Sequence, residues 1–401
     1  MDIRITPGKL SGPVTPPISK SMAHRMVLAQ ALSPQPGKIT NLTPSQDIEA
    51  TEGCIRALAA PRTAGELPRL DCGESGSTLR FLNPIALPVA GGGVFTGRGR
   101  LMQRPQQPYF DIIAQKGIAY SRMENLLAVR GTLTPGDYAL PGNVSSQFVT
   151  GLLFALPLLR GDSEIRLTSP LESKGYVDMT LSALQTFGLT PPQADGSWKV
   201  SPGVFQSPGT LRVEGDWSNA APWLCMGVLG GDGITVDGMD PNSLQGDKAV
   251  CEVLARMGGT ISGTTAQPGT LSPVTIDARN IPDLVPVLAA AAAAIPGETR
   301  VVGAARLRLK ESDRLATTAQ TLNALGGEVE ETEDGLIIRG KSRLVGGTVD
   351  AQGDHRIAML AAVASVVCDS PVTITGAEAI RKSYPAFWED LRALGKEVAE
   401  E

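Results

Sequence analysis

A glycine that closes a helix-like segment and opens a short β-branched one recurs along the chain. It stands in AQKGIAY (Gly117), QTFGLTP (Gly188), ARMGGTIS (Gly258), NALGGEVE (Gly326) and RALGKEV (Gly395), with spacings of 71, 70, 68 and 69 residues. Each fits a helix C-cap turning into a strand. A second landmark keeps the same period: a strand, a polar loop, then a helix apolar on most faces. It appears in LPGNVSSQFVTGLLFALPLLRGD from Leu140, VEGDWSNAAPWLCMGVLGG with strand residue Val213, IDARNIPDLVPVLAAAAAAIPG with Ile276 and VDAQGDHRIAMLAAVASVVCDS with Val349. The unit therefore reads strand, buried helix, strand, amphipathic helix, strand, over about 70 residues.

The 401 residues hold six such units, the first two less regular. Six cannot share one core, so the division is into two groups of three. With 42% apolar and 19% charged residues the chain can bury a real core. The expected class is α/β (α+β). Within a group that shares one orientation, the N-termini of the buried helices converge on one face, which offers N–H groups and positive dipole ends to anions.

Composition excludes several alternatives. The net charge of -5 argues against a nonspecific nucleic-acid binder, and 4% aromatic residues against a base-stacking RNA surface. MDIRITPGKL carries no apolar h-region, and the longest apolar run, Leu284 to Ile295, is interrupted by Pro286 and too short to span a bilayer. The expectation is a cytoplasmic protein without membrane or nucleic-acid partners. Five scattered cysteines without CxxC argue against a disulfide framework. The two histidines, His24 and His355, have no histidine or cysteine nearby, so no metal site is expected and neither is given a catalytic role.

Cations recur beside helix starts. ISKSMAHRM places Lys20 and Ser21 at a helix start and Arg25 one turn on, although a plain Ser-capped helix reads the same way. GESGSTLRF is a tight turn opening a helix, with Gly76 inside it and Arg80 behind; it lacks a Walker lysine. GNVSSQ supplies Ser145, Ser146 and Gln147, three donors where a cap needs one. In LRLKESDRLA the spacing of Lys310 and Arg314 puts two cations on one helix face beside Glu311, a pattern that a solvated face also explains. Arg356 in DHRIAML opposes the dipole of its helix and calls for an anionic partner. Lys382 in IRKSYPAF reads as a loop lysine before Pro385. Together these ask for a small, multiply anionic ligand or a pair of them.

SKSMAHR, GESGSTLR, QRP, GNVSSQ, ESKGY, IPD, KESDR, DHR and RKSYP occur, from Lys20 to Pro385, in the order seen in the 5-enolpyruvylshikimate-3-phosphate synthase family. The chain resembles that family over nearly its whole length. The resemblance implies two domains, each of three βαβαββ repeats forming an inside-out α/β barrel: residues 1–19 with 215–401, and an inserted domain of 20–214. It implies transfer of the enolpyruvyl group of phosphoenolpyruvate to the 5-hydroxyl of shikimate 3-phosphate, through a tetrahedral intermediate, with release of phosphate. No cofactor or metal is required; the protein would act as a monomer on two small molecules, and glyphosate would occupy the phosphoenolpyruvate site.

By the same resemblance shikimate 3-phosphate meets Ser21, Arg25, Ser145, Ser146, Gln147, Ser173, Asp283 and Lys310. Phosphoenolpyruvate meets Lys20, Gly76, Arg104, Gln147, Arg314, Arg356 and Lys382. Asp283 is the candidate general base, and either Glu311 or Lys20 the acid. These ligands divide between the two halves of the chain, which implies closure on binding. One departure is Arg306, four residues before Lys310, where some members carry asparagine. Two rivals remain. An enolpyruvyl transferase acting on UDP-N-acetylglucosamine usually carries a cysteine in the loop before its Arg-Pro, and Gly97 to Pro105 has none. A non-catalytic anion-binding module would not need Asp283 and Glu311 beside the cations.

Overall fold

The computed structural model describes residues 1–401, and the chain divides into two compact units, Met1–Ser19 with Glu214–Glu401, and Lys20–Val213. Glu214, which the sequence reading gave to the inserted segment, belongs with the terminal one. Ser19 N–H donates to the Glu214 carbonyl (2.7 Å), Asp216 N–H to that of Pro17 (3.0 Å), and Ile18 bridges Gly215.

The inserted unit contains α1 (Lys20–Leu32), α2 (Gln46–Ala59), α3 (Gly76–Ala90), α4 (Gln107–Gln115), α5 (Ser146–Ala155) and α6 (Lys174–Thr186). The terminal unit contains α7 (Trp217–Leu229), α8 (Val250–Arg256), α9 (Val285–Ala293), α10 (Arg314–Ala324), α11 (His355–Ala364) and α12 (Phe387–Ala393). Odd-numbered helices are buried nearly all round, as their apolar sequences require; every residue of α9, VPVLAAAAA, is buried. Even-numbered helices bury one stripe; in α2 it is Ile48, Thr51, Cys54 and Leu58. Five even-numbered helices, α4 through α12, are each followed by one of the recurring glycines, with φ of 66°, 80°, 97°, 90° and 100°. Glycine is the residue that reaches that left-handed region without a Cβ penalty, which is why the repeat is written in glycines.

Each complete sheet has one plan. Two parallel strands flank a buried helix, since a parallel pair needs a crossover, and two antiparallel strands extend the sheet. In the terminal unit the parallel pairs are Leu10–Val14 with Gly231–Val236, Thr275–Asp277 with Gly297–Val302, and Gly347–Asp350 with Val372–Thr375. In the inserted unit they are Arg69–Asp71 with Gly92–Thr96 and Gly136–Leu140 with Ser163–Leu167. The sixth sheet has only two strands, Lys38–Ile39 parallel to Thr210–Leu211. That is the irregularity visible in the first repeats.

One strand assignment is corrected. Val213 lies outside any strand, and the strand that serves α7 is Leu10–Val14 at the other end of the insertion. The inserted unit interrupts the repeat between its first strand and its buried helix. The period that runs from Leu140 therefore does not end on a strand at Val213.

Helices α7, α9 and α11 pack on one another, and α3 packs on α1 and α5, so helices fill each core and sheets face outward. No helix is long and apolar enough to cross a membrane.

Candidate active site

In the terminal unit the starts of α7, α9, α10 and α11 are tied together by charged groups. Asp283 lies in the short 3-10 turn Pro282–Leu284 that leads into α9. Its Oδ1 accepts from Lys310 Nζ (3.0 Å) and from Arg314 Nη1 (2.8 Å). Burial alone would raise the proton affinity of Asp283. The cations Lys310, Arg314 and Arg356 outweigh it and hold the carboxyl well below the usual range.

Lys310 and Arg314 do not share a helix face, as their spacing suggested. Asp313 caps α10 by accepting from Ala316 N–H (3.2 Å), so the helix begins only at Arg314 and Lys310 stands before it. Both cations reach Asp283 nonetheless. KESDR is not a solvated face: Arg314 is 2% exposed. It donates to Glu311 Oε2 (2.8 Å) and, through Nε and Nη2, to the two oxygens of Asp354 (2.8 and 3.1 Å). Burial lowers its proton affinity, and Asp354, Glu311 and Asp283 raise it by more, so Arg314 stays charged.

Asp354 also caps α11, accepting from Arg356 N–H (2.9 Å), and takes a further bond from Ser312 Oγ (3.0 Å). The cation at this helix start was expected to need an anion. The Arg356 guanidinium donates to both the carbonyl and the hydroxyl of Ser218, whose hydroxyl donates to Asp216, the cap of α7. Arg356 Nε makes no hydrogen bond. Lys382 is not a solvated loop lysine. It ends a 3-10 helix, is buried, and donates to the Gly353 carbonyl (2.6 Å). Arg306 donates to the Arg279 carbonyl (2.7 Å).

In the inserted unit polar bonds join the start of α5 to that of α3 and tie α1 to α2, α5 and α6. Lys20 Nζ is paired with Asp47 Oδ2 at 2.8 Å. Arg25, buried, donates to Thr180 Oγ1 (2.8 Å), Tyr176 O (2.8 Å), Thr150 Oγ1 (3.3 Å) and Ser21 O (2.6 Å). All four acceptors are neutral, and burial draws its proton affinity down to about 9. Ser145 caps α5 by accepting from Gln147 N–H (3.3 Å); Ser146 and Gln147 form the first turn. Gln147 Nε2 donates to Ser77 Oγ (3.0 Å) on α3, and Arg80 Nη1 donates to Gln147 Oε1 (2.7 Å). Gly76 opens α3 against Arg104: a Cβ there would stand 2.6 Å from Arg104 Nη1. Ser173, buried just before α6, has φ of 56°, one of two non-glycine residues in the left-handed region. Such strain concentrates at binding sites.

His24 is buried in a chain of hydroxyls running through Thr51 and Thr78 to Ser75. Burial pushes it down to about 3, so it is neutral at physiological pH. No group of three or more His, Cys, Asp or Glu stands where it could hold a metal ion. Sequence reading missed Asp47, Asp216, Ser218 and Asp354, although the caps Asp216 and Asp354 announced themselves as polar residues before apolar helices.

The family model described as EPSP synthase (3-phosphoshikimate 1-carboxyvinyltransferase) matches residues 5–391. A 3-phosphoshikimate 1-carboxyvinyltransferase of Clostridium acetobutylicum is 43% identical over 99% of this chain and 98% of its own length. One from Clostridium kluyveri is 44% identical over the same shares. Among solved structures, an EPSP synthase of Acinetobacter baumannii superposes with a TM-score of 0.79 at 26% identity, covering all of both chains. The enolpyruvyl transferase NikO of Streptomyces tendae gives 0.78 at 20% identity over 99% of this chain and 98% of that one, a likeness of fold. With its repeat, its helix-start cations and these matches along its whole length, the chain belongs to the EPSP synthase (3-phosphoshikimate 1-carboxyvinyltransferase) family.

Proposed function

We propose that this protein transfers the enolpyruvyl group of phosphoenolpyruvate to the 5-hydroxyl of shikimate 3-phosphate and releases inorganic phosphate. The observation that carries the reading is a carboxylate, Asp283, held ionised between Lys310 and Arg314 where buried helices begin. A phosphate monoester carries about -1.5 to -2 near neutral pH. With two carboxylates the substrate pair brings roughly -5 to -6, and Lys20, Arg25, Arg104, Lys310, Arg314, Arg356 and Lys382 oppose it. Ser21, Arg25, Ser145, Ser146, Gln147, Ser173, Asp283 and Lys310 would hold shikimate 3-phosphate. Lys20, Gly76, Arg104, Gln147, Arg314, Arg356 and Lys382 would hold phosphoenolpyruvate.

In the addition step the 5-hydroxyl oxygen bonds to C2 of phosphoenolpyruvate, its proton passes to Asp283, and an acid protonates C3. In the elimination step C3 loses a proton, the C2–O bond to phosphate breaks, and the enol ether and phosphate leave. Of the acid candidates, Glu311 is engaged as an acceptor from Arg314, whereas Lys20 Nζ is a donor toward Asp47. This favours Lys20 as the group with a proton in place. The direct test mixes the protein with both substrates and follows phosphate release with and without a chelator. Release that needs both substrates and survives chelation is expected. Release with UDP-N-acetylglucosamine in place of shikimate 3-phosphate overturns the acceptor, and binding without release points to an anion-binding module.

Glyphosate should compete with phosphoenolpyruvate. An added methyl at Gly76 drives into the Arg104 guanidinium, the flexible end of a clamp, so Arg104 must shift by several tenths of an ångström. By the family resemblance, Gly76→Ala is expected to raise the glyphosate inhibition constant more than the KM of phosphoenolpyruvate. Equal changes in the two constants remove Gly76 and Arg104 from the glyphosate subsite.

A further inference from the structure

We infer that Arg80, outside the proposed ligand set, is a positioning residue that sets the hydrogen-bond polarity of Gln147 and Ser77, so that Gln147 offers an amide N–H and Ser77 its O–H to an anionic substrate. The inference rests on the reading of Gln147 as a substrate ligand. Arg80 lies one turn into α3 and is 3% exposed. Its guanidinium stacks over the Phe148 ring at 5.0 Å and donates to Gln147 Oε1 (2.7 Å) and to the carbonyl of Pro105 (3.1 Å), which follows the Arg104 clamp.

A guanidinium has five N–H groups, no acceptor and no accessible neutral form. The amide oxygen of Gln147 must therefore face it; a flipped amide would set N–H against N–H beside a buried cation. With Oε1 fixed, Nε2 is left to face Ser77, and it donates to Ser77 Oγ at 3.0 Å. Ser77 Oγ accepts there, so its own hydrogen is directed onward. One cation thus orders a chain of polarity from Arg80 through Gln147 to Ser77. The hydrogens left over, the second on Gln147 Nε2 and the one on Ser77 Oγ, join the N–H groups of the first turns of α3 and α5. Donors aimed in this way suit phosphate and carboxylate oxygens. An amide free to flip would present its oxygen to the same anion part of the time and repel it.

The test is a double-mutant cycle on phosphate release. Arg80→Met in the wild-type background is expected to raise the KM for phosphoenolpyruvate about tenfold or more, with a smaller change in kcat. In the Gln147→Leu background the same substitution should change KM less than twofold, because its effect passes through the amide. Arg80→Lys, which keeps a donor-only cation, should fall nearer the wild type than Arg80→Met. Equal effects of Arg80→Met in both backgrounds overturn the proposal. A readout that needs neither substrate nor a stable Arg80→Met protein is the Gln147 side-chain amide in the NMR spectrum, assigned by its loss in Gln147→Leu. Exchange of these protons with solvent slowed well below that of exposed glutamine side chains is expected in the wild type and in Arg80→Lys, and exchange as fast as that of exposed glutamines overturns the relay. A locked amide in a protein that releases no phosphate instead rejects the functional reading and leaves the relay standing.

Discussion

Asp283→Asn is expected to lower kcat by about 10²–10⁴-fold, the range for loss of a positioned general base, while the KM of either anionic substrate stays level or falls. The asymmetry follows from the surroundings. Asp283 is an acceptor for Lys310 and Arg314, so removing its charge leaves two cations with less local compensation and a stronger pull on phosphate and carboxylate. A simple binding ligand would behave oppositely, with weaker binding and unchanged turnover. The ion pairs also pose a difficulty, because a carboxyl held well below the usual range is a weak base. The same cations resolve it. Once the substrates place several negative charges among Lys310, Arg314 and Arg356, the stabilisation of the Asp283 carboxylate is cancelled and its proton affinity rises. Carbon-detected NMR of the Asp283 carboxyl should show titration below the ordinary range in the free protein and an upward move with shikimate 3-phosphate bound. Wild-type turnover in Asp283→Asn removes the residue from the mechanism, and an unmoved titration removes this account of its basicity.

The repeat was legible because its punctuation is local. A helix that must turn into a strand through left-handed φ writes a glycine, and Gly117, Gly188, Gly258, Gly326 and Gly395 all adopt that conformation. The strand serving α7 was not legible, because Leu10–Val14 lies before the whole inserted unit and no spacing connects it to that helix. The cations of the site showed as residues at helix starts. Their acidic counterparts did not, since pairs such as Lys20 with Asp47 or Arg314 with Asp354 form between elements 27 and 40 positions apart. KESDR illustrates the limit of periodicity. Four-residue spacing implies one helix face only if the helix has begun, and the Asp313 cap delays it to Arg314. Lys382 was misread for a related reason: nothing in RKSYP shows that the Gly353 carbonyl will be there to receive it.

The largest structural effect is expected at Asp354, whose side chain is fully buried and serves two arginines at once. It accepts from Arg314 Nε and Nη2, from Ser312 Oγ and from the backbone N–H of Arg356. Asp354→Ala removes one of three carboxylates around a guanidinium that is 2% exposed; breaking a buried pair from one side typically costs about 3–5 kcal/mol, and Glu311 and Asp283 hold the loss to the lower end of that range. Loss of the α11 cap acts on the same group, so it is not added separately. In a unit of this size about 1 kcal/mol moves the midpoint by roughly 2–4 °C, so a fall of about 10 °C is expected in the transition of the terminal unit. Asp354→Asn separates the two roles. It keeps an acceptor for Arg356 N–H and drops the charge that Arg314 faces. If the ion pair dominates, Asn should lose most of what Ala loses; if the cap dominates, Asn should stay near the wild type. Arg314 and Arg356 are both proposed to clamp phosphoenolpyruvate, so its KM should rise in both variants, and more than that of shikimate 3-phosphate. A midpoint within 2 °C of the wild type in Asp354→Ala would mean that Glu311 and Asp283 suffice to hold Arg314, and that Asp354 is an ordinary helix cap.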